Sequence, residues 1–258
     1  MPRLVNDSME IGMVAGMQAF RFSSTKIDRL GATEYTLVTI AVDETGSVEA
    51  FADDLHKALV MAVEACKKSP RSNNLLVRVI KFSTSFPNGV EEIHGFEPLS
   101  GIDPTKDYPS LKPGGATPLY DASFSAIGAT IAYGEKLMQQ DFLTNGIVFI
   151  ITDGEEYPYP PSNPSTATPE MIKTEVRKAV GGEKIESLVT ILIGINTARC
   201  ATILSKFKDS AGIDQYVDIG EATKGKLAKL AEFVSQSTSS QSQAIGTGGP
   251  SQNIAPTI

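Results

Sequence analysis

The chain has 258 residues, of which 41% are hydrophobic, and it carries a formal net charge of −7. This length and apolar content are sufficient for one large α/β domain with a buried core. The acidic balance disfavours nucleic acid and anionic membranes as main partners. The two cysteines, Cys66 and Cys200, are too few for a disulfide scaffold.

The distribution of apolar residues bears on location. The longest apolar stretches have the length of a strand, and no apolar signal-peptide core follows Arg3. The sequence therefore predicts a cytosolic protein.

Strand and helix patterns alternate along the first half of the chain. Residues 35–42 are β-branched and almost continuously apolar, which is typical of a strand buried on both faces of a parallel sheet. An apolar stripe at three- and four-residue intervals from Val48 to Cys66 predicts a helix. Residues 75–83 and 90–99 are predicted to be strands of an antiparallel hairpin, because only a short turn separates them.

The alternation continues in the second half. A helix is predicted over about 118–140, with Pro118 in its first turn, where the missing N–H costs little. Further strands are predicted at 146–153, 187–195 and 216–219. Further helices are predicted at about 170–180, 198–211 and 223–234.

Composition divides the chain into three parts. Residues 1–32 are expected to form an N-terminal arm, and residues 33–234 to form the α/β domain. Within the arm, Phe20 and Phe22 alternate with polar residues, which suggests a short edge strand or an extended segment. Residues 235–258 carry no charge and are rich in Ser, Gln, Gly and Thr, so we expect a disordered tail.

The order of these elements predicts the fold class. It is typical of a doubly wound, mostly parallel sheet with one antiparallel edge strand and helices on both faces. In such sheets ligands bind beyond the carboxyl ends of the strands, where the strand order reverses. Asp43 and Asp153 each end a predicted strand, so they would face each other at that point if their strands are neighbours.

Three loops at these strand ends carry oxygen ligands. The first contains Asp43, Thr45 and Ser47 at alternate positions, the second places Thr117 after two glycines, and the third begins with Asp153. Two carboxylates about 5 Å apart repel each other by about 3 kcal/mol at an effective dielectric constant of about 20, and a divalent cation would reverse that repulsion. An all-oxygen ligand set favours Mg²⁺, with Mn²⁺ and Ca²⁺ as alternatives.

With these loops the chain resembles the von Willebrand factor type A (VWA) family and its metal-ion-dependent adhesion site (MIDAS). The family pattern is Asp-x-Ser-x-Ser, a threonine on a second loop and an aspartate on a third. Asp43, Thr45 and Ser47 match the first loop, Thr117 the second and Asp153 the third, over a likeness that covers about residues 33–234. The resemblance implies that these side chains bind the metal, the aspartates directly or through water. Thr45 departs from the usual serine, and its methyl group adds bulk beside the metal.

A simpler interpretation of the same residues remains open. Asp43 and Asp153 can cap helices or turns without binding metal, and the fold also occurs in forms that have lost the metal. Residues flanking the third loop are candidates for contact with a partner, although exposed loop residues would have the same composition. The candidates are Glu155, Tyr157 and Tyr159.

The expected function is that of a non-enzymatic, metal-dependent protein-binding domain. By the resemblance, the cation would keep one coordination position for a Glu or Asp side chain of a partner protein. Relatives of this compact type often serve multiprotein complexes, including those with AAA+ ATPases or stress-response proteins. The alternative is a structural subunit with a vestigial or merely stabilising metal site. A metal-dependent hydrolase is the weakest alternative, because the sequence shows no nucleophile paired with a base.

Overall fold

The computed structural model describes residues 7–15, 17–157, 164–181, 184–248 and 254–255. In these residues, eight strands and six α-helices are joined by loops and short 3-10 helices. The strands are β1 (Met9–Val14), β2 (Met17–Thr25), β3 (Glu34–Asp43), β4 (Leu75–Phe82), β5 (Val90–Pro98), β6 (Leu143–Thr152), β7 (Ser187–Gly194) and β8 (Gln215–Asp218). The helices are α1 (Ala52–Lys67), α2 (Pro104–Asp107), α3 (Leu119–Met138), α4 (Pro169–Gly181), α5 (Ala201–Ala211) and α6 (Lys224–Thr247). In this part of the chain, every helix is too short or too polar to cross a membrane.

All eight strands form one sheet, in the order β1-β2-β5-β4-β3-β6-β7-β8. The chain leaves β3 for β4 on one side and later returns to β6 on the other, so the strand order reverses at β3. Neighbours from β4 through β3, β6, β7 and β8 are parallel, whereas β5 is antiparallel to β4 and β1 to β2. The predicted fold class, a mostly parallel sheet with an antiparallel edge, is confirmed. The prediction gave that edge one antiparallel strand, whereas three strands, β5, β2 and β1, lie beyond β4 in the structure.

Helices cover the sheet on both faces, and each face has its own core. On one face α1 and α6 pack on side chains such as Ile40 of β3. On the other face α3, α4 and α5 pack on side chains such as Leu37 and Ala41. Because successive side chains of a strand point to opposite faces, a strand buried on both must be apolar throughout, as residues 35–42 nearly are.

The described part of the N-terminal arm belongs to the sheet. β1 and β2 form an antiparallel hairpin, and β2 pairs with β5 at Ser24 and Phe96. Phe20 packs edge-on against Phe124 of α3, with ring centroids 5.1 Å apart. The alternation of Phe20 and Phe22 with polar residues therefore marks an inner strand with one buried face.

Helix α6 continues well beyond its predicted end, so the expected disorder is wrong for residues 235–247. The side chains of Ser237, Thr238, Gln241 and Ser242 are buried, although none is apolar. Asn145 donates to the carbonyl oxygen of Gln241 at 2.8 Å, and Arg71 donates to Ser242 Oγ at 3.1 Å. Hydrogen bonds to partners distant in sequence thus stabilise a segment whose composition is typical of disorder. Most residues after 248 lie outside the described part.

Candidate metal centre

The candidate site lies at the carboxyl ends of β3 and β6, the two neighbouring strands at the reversal of strand order. Asp43 is the last residue of β3, and Asp153 follows Thr152, the last residue of β6. The two strands are parallel and pair Val42 with Ile151. Both aspartates therefore emerge at the same edge of the sheet, as the sequence predicted.

Asp43 lies at the base of the site. Its side chain is fully buried, and both carboxylate oxygens accept hydrogen bonds. Oδ1 accepts from the backbone N–H of Thr45 at 2.8 Å, and Oδ2 accepts from Thr152 Oγ1 at 2.7 Å. With both oxygens engaged, Asp43 is suited to act on a cation through a water molecule or through the neighbouring hydroxyls. The sequence analysis did not identify Thr152, because only the pairing of β3 with β6 places it beside Asp43.

The hydroxyls of the first loop connect Asp43 to Asp153. Thr45 Oγ1 and Ser47 Oγ lie 3.0 Å apart, and Ser47 Oγ donates to Asp153 Oδ1 at 2.7 Å. Four of the five predicted ligands thus belong to one hydrogen-bonded chain. This chain joins loops more than a hundred residues apart.

Thr117 is the fifth predicted ligand, and it lies beside the third loop. The backbone N–H of Thr117 donates to the carbonyl of Tyr157 at 3.0 Å, and that of Tyr157 donates to the carbonyl of Thr117 at 2.8 Å. A Cβ built on Gly154 would lie 3.6 Å from Thr117 Oγ1. Within the described part of the chain, this hydroxyl makes no hydrogen bond, so it is available to a ligand.

Backbone contacts hold the second loop against the first. Gly46 N–H donates to the carbonyl of Gly115 at 3.1 Å, and Gly114 N–H donates to that of Glu44 at 3.0 Å. Gly115 has φ +70°, and a Cβ there would lie 2.5 Å from Ser83 Oγ. Only glycine can therefore occupy this position without strain, and it lets the Thr117 loop approach closely.

The pKa values of the two aspartates show the cost of holding them here without a cation. Burial raises the pKa of Asp43 to about 6, although hydrogen bonds from Thr45 and Thr152 lower it, and the nearby Asp153 raises it further. Burial also raises the pKa of Asp153, against the hydrogen bond from Ser47. A divalent cation favours both ionised forms, so the residues present fit such an ion.

The donor set contains two charged ligands, Asp43 and Asp153. In the described ranges, no group of three or more His, Cys, Asp or Glu side chains is placed to hold a metal ion. Two carboxylates and three hydroxyls would bind an ion that completes its shell with water or with an outside ligand. Mg²⁺ has this habit, because it dehydrates reluctantly and usually keeps several waters.

Glu44, the residue after Asp43, is buried. Its exposure is 2%, and Lys81 donates to its Oε1 at 3.1 Å. Lys81 also lies 3.1 Å from Glu91 Oε2, so its ion pairs are with glutamates and not with the two aspartates. The positive charge of Lys81 thereby compensates Glu44 and leaves Asp43 and Asp153 for a cation.

Glu156 is a second residue whose role the sequence did not reveal. Its Oε2 accepts the backbone N–H of Tyr120 at 2.8 Å, in the first turn of α3. Its Oε1 accepts from Ser165 Oγ at 2.5 Å. Glu156 therefore connects the loop of Asp153 to the helix that follows Thr117. An acid at a helix N-terminus is also favoured by the helix dipole.

The predicted partner-contacting residues lie at the rim. Glu155 is partly exposed, and Tyr157 is 62% exposed. Tyr159 lies outside the described residues. Asp121, in the first turn of α3, accepts the N–H of Ala167 at 2.8 Å.

Comparison with known proteins gives a fold and no family assignment. No protein-family model matches the chain, and no curated protein matches it. Among solved structures, the PilB minor pilin from Streptococcus sanguinis is similar with a TM-score of 0.55 and 16% identity, over 88% of this chain and 66% of that one. The SpaC pilus adhesin from Lactobacillus rhamnosus GG follows with a TM-score of 0.52 and 12% identity, over 93% and 35%. Proximal thread matrix protein 1 of the mussel byssus, in a structure with a zinc-occupied MIDAS motif, has a TM-score of 0.50 and 15% identity, over 81% and 47%.

The fold is a VWA-like α/β fold. At these identities the likeness extends to the fold alone. The chain spans 66%, 35% and 47% of the three proteins, so their complete architecture is not represented in it.

The comparison also corrects the expected location. The similar proteins are components of pili and of the mussel byssus, which lie outside the cell. This finding contradicts the cytosolic location predicted from the sequence. The absence of an apolar signal-peptide core was a weak basis for that prediction, because it concerns only the first residues given.

Proposed function

We propose that this domain binds a divalent cation between its three loops and uses the cation to capture an acidic side chain of a partner protein. The observation that carries the proposal is the hydrogen-bonded chain of Thr45, Ser47 and Asp153 above the buried Asp43, at the reversal of strand order. Ligand sites of open α/β sheets lie at this position.

Each residue has a distinct part in the proposed site. Ser47, Thr45 and Thr117 would offer hydroxyl oxygens to the cation, and Asp153 would offer a carboxylate. Asp43 would compensate the charge of the cation from below, since both its oxygens already accept hydrogen bonds. Mg²⁺ is the proposed ion, with Mn²⁺ and Ca²⁺ as alternatives, because the ligand set consists of oxygen atoms only. Zn²⁺ is a further candidate, because a protein of similar fold has a zinc-occupied MIDAS motif.

Capture of a partner would use the coordination positions that the protein leaves to solvent. An ion that keeps coordination positions for solvent can exchange a water for a carboxylate of a partner. The exposed Tyr157 beside Thr117 would contact that partner and contribute to specificity. We place the domain outside the cell or at its surface, because the proteins of similar fold are pilus and byssal components. Nothing in those proteins supports the expected AAA+ or stress-response complex.

The proposal assigns no catalytic step to the site. In the described ranges, the one buried cysteine near the site, Cys200, lies 4.0 Å from the carbonyl of Asp153 and has a raised pKa, chiefly from burial. A thiol with a raised pKa is a poor nucleophile at neutral pH. The site is thus better suited to binding than to covalent catalysis.

The test is capture of partners from the source organism by the immobilised domain with Mg²⁺ present. We expect bound proteins that are released by EDTA and are not captured by the Asp43→Ala variant. Lys57→Ala, on an exposed part of α1, is the matched control and should capture them like the wild type. Capture that survives both EDTA and Asp43→Ala would contradict the proposal. It would favour the alternative of a structural subunit that makes contacts elsewhere.

A further inference from the structure

Strand β1 forms one edge of the sheet and exposes two large apolar side chains. In the ranges that the structure describes, no strand pairs with its outer side. Edge strands are commonly protected by lysine, proline or inward-pointing charges. β1 has the sequence MEIGMV, in which Glu10 is the one charged residue, and Glu10 forms an ion pair with Lys136 of α3. Ile11 and Met13 are 61% and 46% exposed.

The backbone of β1 presents regularly spaced hydrogen-bonding groups to the outside. Lys26 N–H donates to the carbonyl of Ser8 at 2.8 Å, so Ser8 faces β2. Backbone groups alternate along an antiparallel strand, so Glu10 and Gly12 also face β2. The residues whose N–H and C=O point outward are Met9, Ile11 and Met13.

A contact on the other side of the hairpin supports this assignment. Ser23 is the cross-strand partner of Ile11. Its N–H donates to Glu92 Oε1 of β5 at 3.0 Å and therefore points away from β1. In a pair that is not hydrogen-bonded, both residues point away from each other. The N–H and C=O of Ile11 consequently face the outside.

These features make β1 complementary to itself. If Ile11 lies opposite Ile11 of a second copy in an antiparallel arrangement, Met9 lies opposite Met13. All three outward-facing residues then form hydrogen-bonded pairs, and their apolar side chains lie on one face as cross-strand neighbours. On the opposite face Glu10, which pairs with Lys136 of its own copy, lies opposite Gly12, an uncharged residue over which the Phe22 ring of β2 packs.

The charges select this register over its neighbours. If the second copy were shifted so that Met9 lies opposite Ile11, Glu10 would lie directly opposite Glu10 of the other copy, and like charges in that position are destabilising. If it were shifted the other way, so that Ile11 lies opposite Met13, Met9 would have no partner in β1. The favoured register thus uses the whole edge and separates the two glutamates.

We propose that β1 pairs with β1 of a second copy of this chain around a twofold axis. In the dimer one continuous sheet would run through both copies, and β1 would no longer be an exposed edge strand in either copy. The contact lies on the antiparallel edge of the sheet, far in strand order from the β3–β6 site. Its formation is therefore independent of metal.

Sedimentation velocity over a range of protein concentrations tests the proposal. We expect a monomer–dimer equilibrium that is unchanged by EDTA. Ile11→Lys should weaken the dimer by at least about tenfold, because it places two positive charges opposite each other. Met13→Pro should weaken it as well, and the hairpin should survive, since the N–H that is lost points outward. Ile203→Lys, which changes a similarly exposed residue of α5, is the matched control and should dimerise like the wild type.

Cross-linking tests the register. Hydrogen-bonded antiparallel partners have Cα atoms about 5.5 Å apart, within the range that a disulfide spans. Under mild oxidation Ile11→Cys should form a covalent dimer, and Arg21→Cys, one strand inward, should not. The native Cys66 and Cys200 are buried. A wild-type monomer at all concentrations would overturn the proposal. A dimer that Ile11→Lys and Met13→Pro leave unchanged, or equal cross-linking of both cysteine variants, would overturn it equally.

Discussion

At the scale of single residues, the candidate site is a place where negative charge is held against its tendency to be neutralised. Asp43 is fully buried, and its pKa is raised to about 6 by burial and by Asp153, although hydrogen bonds from Thr45 and Thr152 lower it. Below about pH 6 such a group holds a proton when no cation is present, and it releases the proton when a cation binds. The elevated pKa and the affinity for metal therefore have one physical cause.

The raised pKa of Asp43 predicts that the stability of the metal-free protein depends on pH. The folded state keeps a proton on Asp43 up to about pH 6, whereas the carboxyl of the unfolded chain releases it near its ordinary pKa of 3.8. The stabilisation is therefore fully present below about pH 4 and is lost as the pH rises through 6. A difference of about two pKa units corresponds to about 3 kcal/mol. Urea unfolding in EDTA should show this loss in the wild type relative to Asp43→Asn, and parallel profiles would contradict it.

That the five candidate ligands lie at one end of the sheet could be predicted from sequence, because their spacing and their place after apolar strands are local features. The partners that position them could not. Thr152 lies beside Asp43 only because β6 pairs with β3, and Lys81 reaches Glu44 from the neighbouring strand β4. A side chain whose role depends on a distant neighbour leaves no local signal.

At the scale of elements, the three loops are positioned by contacts between them more than by their own sequences. Glu156 accepts the N–H of Tyr120 and thereby connects the Asp153 loop to the start of α3. The backbone pairing of Thr117 with Tyr157 reinforces this connection. Metal affinity should therefore depend on Glu156, although we do not expect this residue to touch the ion.

Substitution of Glu156 tests this dependence. Glu156→Gln keeps an oxygen acceptor for Tyr120 N–H, so its affinity for Mn²⁺ should stay near that of the wild type. Glu156→Ala should weaken Mn²⁺ binding by about 10- to 100-fold, the usual effect of losing a residue that orients metal ligands. Isothermal titration gives the affinities, and electron paramagnetic resonance of bound Mn²⁺ shows whether the ligand geometry has changed. Equal affinities for both variants and the wild type would contradict a positioning role.

Element boundaries were predictable where apolar residues recur regularly and were missed where polar residues are buried. The stripe from Val48 to Cys66 correctly predicted α1 after a turn of 3-10 helix. The second half of α6 has no such stripe, because it packs through Ser237, Thr238 and Gln241. Composition alone cannot distinguish a polar helix held by hydrogen bonds from a disordered tail.

At the scale of the whole molecule, strand order determines where chemistry can occur. The reversal at β3 brings together the carboxyl ends of β3 and β6, and the site lies there. The order of elements made this arrangement one of a few possibilities, because right-handed crossovers and short connections leave few alternatives, but it did not show that β3 and β6 are neighbours. For the N-terminal arm the sequence suggested a short edge strand or an extended segment at Phe20 and Phe22, whereas the structure has a β1–β2 hairpin in which β2 is an inner strand.

The two ends of the sheet would then have separate roles. The β3–β6 end is proposed to bind a cation and a partner, and the β1 edge is proposed to join two copies. A dimer with two cation sites would bind a multivalent partner more tightly than a single domain, because the second contact becomes intramolecular. This gain depends on both proposals and disappears if either fails.

The most direct test of cation binding at the β3–β6 site is a calorimetric titration of the metal-free protein with Mn²⁺ near pH 7.5. We expect one saturable site per chain in the wild type and a loss of at least about hundredfold in affinity for Asp153→Ala. Asp209→Ala, which removes an exposed acid from α5, should bind like the wild type. Wild-type protein that binds no Mn²⁺ at millimolar concentration, or an Asp153→Ala variant that binds it equally well, would contradict cation binding at this site.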